Sequence, residues 1–162
     1  MMAAKDYWFD SWTRRTLINT VMNLIPIDRK VNGVSQFSIK DTIKLCKSFM
    51  NYKQRSLIFF PEGTRGTPGK ILPFKKGAAR FSLDLKAPIL PAVIHGSHKA
   101  WPRGNFLMRP TGIAVYILEP IYPESFMEND NPSEDDLRNA SKKMISALEQ
   151  AITKKATELY DE

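Results

Sequence analysis

Ser56-Leu57-Ile58-Phe59-Phe60-Pro61-Glu62-Gly63-Thr64-Arg65-Gly66 is an apolar run that stops at a proline and opens into a glycine-flanked, charged turn. A short, almost wholly apolar run bounded by turn residues predicts a buried strand over Ser56–Phe60, and Pro61–Gly69 then reads as a loop. Open α/β sheets bind ligands just beyond the carboxyl ends of their strands, so the loop lies where a site is expected. Gly63 and Gly66 permit positive φ and close backbone approach. Thr64 supplies a hydroxyl, and Arg65 a planar fork that grips phosphate through two donors. Glu62 is placed to orient Arg65 or a substrate hydroxyl. Physical chemistry alone leaves two readings of this turn: an anion site, or a solvated surface ion pair of little energetic weight.

Working outward, the elements alternate. Apolar residues at 17, 18, 21, 22 and 24 have helical spacing over Thr13–Leu24, and Pro26 ends that helix and begins a short extended segment, Ile25–Asp28. Asn32-Gly33 marks a turn. Ser35 caps the next predicted helix, whose inward stripe is Phe37, Ile39, Ile43, Cys46, Phe49 and Met50, with Lys40, Lys44, Lys47 and Lys53 largely on the other face. Gly77–Lys86 reads as a helix with Phe81 and Leu85 on one side. Ile89–Ile94 and Gly112–Leu118 read as strands, with Pro91 an edge or bulge feature. Ser133 heads a final helix, 133–160, with carboxylates in its first turn and Leu137, Met144, Ile145, Leu148 and Ile152 inward. This order predicts an α/β domain: a mixed, largely parallel sheet flanked by helices, as one domain over residues 1–162.

The chain has 162 residues, 43% hydrophobic, enough for one globular core. Its net charge of +7 is unevenly spread: residues 1–110 hold 19 Lys/Arg against 6 Asp/Glu, and residues 111–162 hold 5 against 11. A basic body points to an anionic partner: phosphorylated substrate, acidic lipid surface or nucleic acid. Nucleic acid is disfavoured because the lysines are dispersed over several helix faces and no recognised binding motif is present. The single cysteine, Cys46, cannot form an internal disulfide and reads as a small buried hydrophobe. No apolar run reaches the roughly 18–20 residues that cross a bilayer, and no signal-peptide pattern opens the chain. Membrane contact is therefore expected to be peripheral. Tyr7-Trp8-Phe9-Asp10-Ser11-Trp12 is followed by Arg14 and Arg15, rings beside cations that suit a headgroup interface as well as a core edge.

The literal string Phe60-Pro61-Glu62-Gly63-Thr64-Arg65-Gly66 resembles the third motif of the glycerolipid acyltransferase superfamily, which includes lysophosphatidic acid acyltransferases. Other stretches fall in that family's order. Ile25-Pro26-Ile27-Asp28-Arg29 is similar to its second motif. Ile89-Leu90-Pro91-Ala92-Val93-Ile94 with His95-Gly96-Ser97 is similar to its fourth. Lys75-Lys76-Gly77 resembles the lysine–glycine start of the helix between motifs three and four. The resemblance covers about residues 3–120 and implies a glycerol-phosphate-acyltransferase-like fold. It implies transfer of an acyl group from a thioester, acyl-CoA or acyl-ACP, to a glycerol-phosphate-like or lysophospholipid hydroxyl, as in phospholipid biosynthesis. It further implies acceptor-phosphate binding by Arg29, Glu62, Gly63, Thr64 and Arg65, with Lys75 and His95 at the site rim. No bound cofactor or metal is implied; the acyl donor is a substrate, and the expected place is the cytoplasmic face of a membrane.

One family element is not in this sequence. The superfamily's base is a histidine followed after four residues by an aspartate, and that pair precedes the second motif. The two histidines here are His95 and His98, followed after four residues by Lys99 and Pro102. The expectation is that the N-terminal part of the domain, with its catalytic pair, is missing. The alternative is a non-catalytic phospholipid-binding domain or degenerate relative.

Overall fold

The structure, a computed structural model, describes residues 2–4, 25–27, 39–52, 54–64, 66–67, 70–102, 105, 107–127, 129 and 131–161, with residues 2–4, 25–27 and 161 described by backbone alone. It divides into two compact units, Met1–Phe59 and Phe60–Glu162.

In the first unit, β1 (Met2–Ala4) pairs in parallel with β2 (Ile25–Ile27), Ala3 opposite Pro26. Helix α1 spans Ile39–Asn51. Its buried side runs through Thr42, Ile43, Cys46, Phe49 and Met50, with Cys46 fully enclosed, and Lys40, Lys44 and Lys47 exposed. Ile43, Cys46, Phe49 and Met50 of the expected stripe are on this side, Ile39 is 48% exposed, and Phe37 lies outside the described residues. Ile39 is the first residue of the helix. Burial pushes the Cys46 thiol up, away from the reactive thiolate. The expected helix over Thr13–Leu24, the Asn32-Gly33 turn, the Ser35 cap and the aromatics at 7–12 lie outside the described residues.

The expected strand over Ser56–Phe60 is corrected. Among the described residues no strand is assigned there, and the run is not buried: Ile58 and Phe60 are 57% and 55% exposed, while Leu57 and Phe59 are partly covered. The alternation with period two is that of a chain covered on one side. An apolar composition sets the tendency to be buried, but burial on both faces needs a layer against each.

The second unit is built on a helix pair. Helix α2 spans Gly77–Leu85 and the last helix, α4, spans Glu134–Asp161; the short helix α3 (Ser97–Ala100) lies between them in sequence. Ala79 and Leu83 of α2 meet Leu137, Ala140, Met144, Ile145 and Leu148 of α4, with Phe74, Ile89, Ile121, Phe126, Met127 and Ile152 closing the periphery. The inward positions expected of the last helix are those observed. Alanines at 79 and 140 let the helices approach closely, and Leu83 and Met144 fill the centre. Arg80 adds a fork across the pair, donating to both carboxylate oxygens of Glu134 at 2.9 and 3.2 Å and to Asp84 on its own helix.

Both helices have defined ends. Helix α2 stops at Lys86, left-handed at φ 49°, where the Lys86 and Ala87 amides donate to the Leu83 and Ser82 carbonyls. Helix α4 starts in a reciprocal cap: the Ser133 amide donates to Asp136 Oδ2 at 3.0 Å and the Asp136 amide to Ser133 Oγ at 3.2 Å. The Ser133 hydroxyl, which donates to the same Oδ2 at 2.7 Å, and then the Ser133 amide hold the Asp136 carboxyl below its ordinary value.

Strand β3 (Ala92–His95) pairs antiparallel with β4 (Ala114–Ile117), from Ala92 opposite Ile117 to His95 opposite Ala114. The pairing resumes at Ile89 with Ile121. Two residues separate the pairs on one strand and three on the other, so the register slips by one where Pro91 lacks an amide to donate. Among the described residues there is thus one ladder of each sense, and the class is mixed α/β. Ile94, Val115 and Ile117 point to the open side of the hairpin, 48–66% exposed.

Leu83→Ala is expected to lower the unfolding free energy by about 2–5 kcal/mol, measured by urea titration; a loss near zero would remove Leu83 from the core. Ser133→Ala is expected to lower the melting temperature at pH 7. Asp136 has a folded pKa below its ordinary 3.8, so its contribution is present above that value and is lost as the pH falls through the depressed folded value. The gap between wild type and Ser133→Ala should therefore narrow on acidification; a gap that widens would contradict the cap.

Candidate functional site

The candidate site is assembled by a tight turn that the sequence makes almost unavoidable. The Gly63 amide donates to the Phe60 carbonyl at 3.0 Å, enclosing Pro61 and Glu62. Proline at the second turn position and glycine at the fourth are what such a turn favours, and Gly63 carries φ +68°. The turn is tied to the segment leading into α2. The Lys75 amide donates to the Pro61 carbonyl at 2.9 Å, and the Leu72 amide donates to Glu62 Oε2 at 2.9 Å. The second bond gives Glu62 a role that sequence reasoning missed: it holds the two sides of the loop together. A nearby signal was present in the glycine four residues on, since a Cβ at Gly66 would lie 3.2 Å from Glu62 Oε2.

Lys75 crosses the turn. A Cβ placed on Gly63 would lie 2.5 Å from the Lys75 ammonium and 2.9 Å from its Cε, so the side chain rests on the face that glycine leaves bare. Among the described residues no carboxylate lies within ion-pair distance of Lys75. The result is an exposed ammonium, unpaired among the described residues, beside a turn whose Thr64 is also exposed. Such a combination attracts a phosphate or carboxylate.

The structure therefore brings together Glu62, Gly63, Thr64 and Lys75. Arg29 and Arg65 lie outside the described residues. His95, expected at the rim, ends β3 half-buried, with its ring 5.4 Å from that of Tyr160 on α4. Among the described residues no group of acidic, histidine and cysteine side chains is arranged to hold a metal ion, and no helix is long and apolar enough to cross a membrane.

The fold is shared with a solved protein. The chain superposes on the 1-acyl-sn-glycerophosphate acyltransferase PlsC from Thermotoga maritima with a TM-score of 0.65 at 22% identity, covering 99% of this chain and 56% of that one. The Acyltransferase family model matches residues 1–95, more than half of the sequence, and the chain belongs to that family. Among curated relatives, the 1-acyl-sn-glycerol-3-phosphate acyltransferase of Limnanthes douglasii is 40% identical over 102 residues, 63% of this chain and 35% of that protein. The chloroplastic BAT2 enzyme of the same name from Brassica napus is 33% identical over 104 residues, 64% of this chain and 29% of that protein. The chain spans about a third of the length of these curated relatives.

Glu62→Ala should release the Leu72 amide, accelerating its hydrogen exchange about tenfold or more, the scale of a hydrogen bond to a charged group. Unchanged exchange at Leu72 would show that the carboxylate does not hold the loop.

Proposed function

We propose that this chain carries the acceptor-phosphate half of a 1-acyl-sn-glycerol-3-phosphate acyltransferase. The observation that carries the reading is the Lys75 ammonium lying over the bare face of Gly63, in the turn that bears the family's third motif. Lys75, the Thr64 hydroxyl and the forks of Arg65 and Arg29 supply donors for a phosphate monoester, and Glu62 keeps the turn in shape through Leu72. A dianion is better matched by several convergent cations than by one.

In the transfer itself, the acceptor hydroxyl oxygen attacks the thioester carbonyl of acyl-CoA or acyl-ACP. The hydroxyl proton passes to a base, the carbon–sulfur bond breaks, and the thiol leaves with a proton. The base of the family's His-x4-Asp pair has no counterpart in this sequence, where His95 and His98 lack the paired aspartate. The chain's part in the reaction is then to bind and orient the acceptor. The same observation favours a second reading, a phospholipid-binding domain without turnover. A reading frame that continues upstream into a His-x4-Asp motif supports the enzyme; its absence supports the binder. The basic first 110 residues favour a peripheral position at an anionic, cytoplasmic membrane face.

The 162-residue chain is expected to bind lysophosphatidate or glycerol 3-phosphate in calorimetric titration and to show no turnover with acyl-CoA or acyl-ACP. Lys75→Ala and Arg29→Ala should each weaken binding by about 10–100-fold, the value of a hydrogen bond to a charged group. Binding unchanged in both variants would remove the phosphate site, and robust acyl transfer by the chain alone would overturn the division of labour.

A further inference from the structure

We infer that the loop between α3 and β4 is a membrane-docking element that inserts Leu107 and Met108 into an anionic lipid surface. These two side chains are 73% and 72% exposed, the most exposed large apolar residues among those described. Trp101 adds a ring that is 54% exposed. Three large apolar groups on one short loop are costly in water and are what a bilayer interface accepts.

The described residues of the loop are tied together. Its base is closed by the Arg109 amide donating to the Ala100 carbonyl at 2.7 Å. Below the base, Gly96 at φ +84° passes so close to the Gly112 carbonyl that a side chain has no room. The Trp101 indole N–H donates to the Asn105 carbonyl at 2.8 Å, and the Asn105 amide to the Pro102 carbonyl at 3.2 Å. Polar groups satisfied within the loop lower the cost of moving it out of water.

Charge selects the lipid surface over another occupant. Exposed Lys99 and Arg109 flank the apolar tip. Between Asp84 and Glu119 the sequence contains no aspartate or glutamate at all, so nothing in this segment repels an anionic headgroup. Apolar tips framed by cations bind through combined burial and attraction to acidic lipids. The inference does not depend on the acceptor-phosphate reading, because a phosphodiester lipid that is not an acceptor suffices to test it.

The experiment is flotation of the full 162-residue chain with vesicles of phosphatidylglycerol and phosphatidylcholine, against phosphatidylcholine alone. The chain is expected to float with the anionic vesicles. Leu107→Asp/Met108→Asp should reduce partitioning about tenfold or more, from lost apolar burial and added like charge. Leu107→Ser/Met108→Ser should give an intermediate loss, and Arg109→Ala a loss that disappears at high salt. Unaltered thermal melting of the variants confirms that folding is intact, and the serine pair serves if the aspartates disturb it. Failure of the wild-type chain to bind anionic vesicles, or equal binding by both double variants, overturns the inference. So does a wild-type dimer in sedimentation that the substitutions dissociate, which would make a second copy the occupant.

Discussion

The close packing of Ala79 and Leu83 against Leu137, Ala140 and Met144 is the contact on which the second unit depends. It fixes α2 against α4, and α2 begins two residues after Lys75. The position of the helix start therefore sets where the lysine emerges. From there the Lys75 amide binds the Pro61 carbonyl and Leu72 binds Glu62, so the turn is suspended from a packed helix rather than left to its own conformational freedom. A loop held at both ends loses less entropy when it captures a ligand.

Glycine 63 shows how backbone and electrostatics combine. Its positive φ completes the turn, and its missing side chain leaves the surface on which the Lys75 stem lies. A flexible ammonium is the group that adjusts most readily to either the free turn or a bound anion. Within the same unit, the hairpin of β3 and β4 and the long connection between them carry the exposed apolar groups. The exposed Lys75 ammonium and these exposed apolar side chains thus lie on separate segments.

Much of this was legible in residues 25–100. The literal motifs around Phe60–Gly66 resemble those of the acyltransferase family, and the family match over residues 1–95 bears that resemblance out. The inward face of 134–161 followed from period 3.6, and the Ser133 cap from a hydroxyl preceding a run of carboxylates. The apolar run at 56–60 misled because composition reports a preference for burial and not the presence of covering layers. Glu62 shows a different limit: nothing in the local sequence points to the bond its Oε2 accepts from the amide of Leu72, ten residues along.

What the sequence determined by itself is local: the turn with proline and glycine at fixed positions, the helix caps, the apolar stripes, the one-sided charge and the absence of a His-x4-Asp pair. These depend on neighbours within a few residues, where spacing is set by covalent geometry. The tertiary structure alone decided which partners distant groups would meet. Lys75 over Gly63, Leu72 on Glu62, His95 against Tyr160 and the exposure of Leu107 and Met108 each follow from how packed elements bring remote backbone together, and no periodicity encodes that.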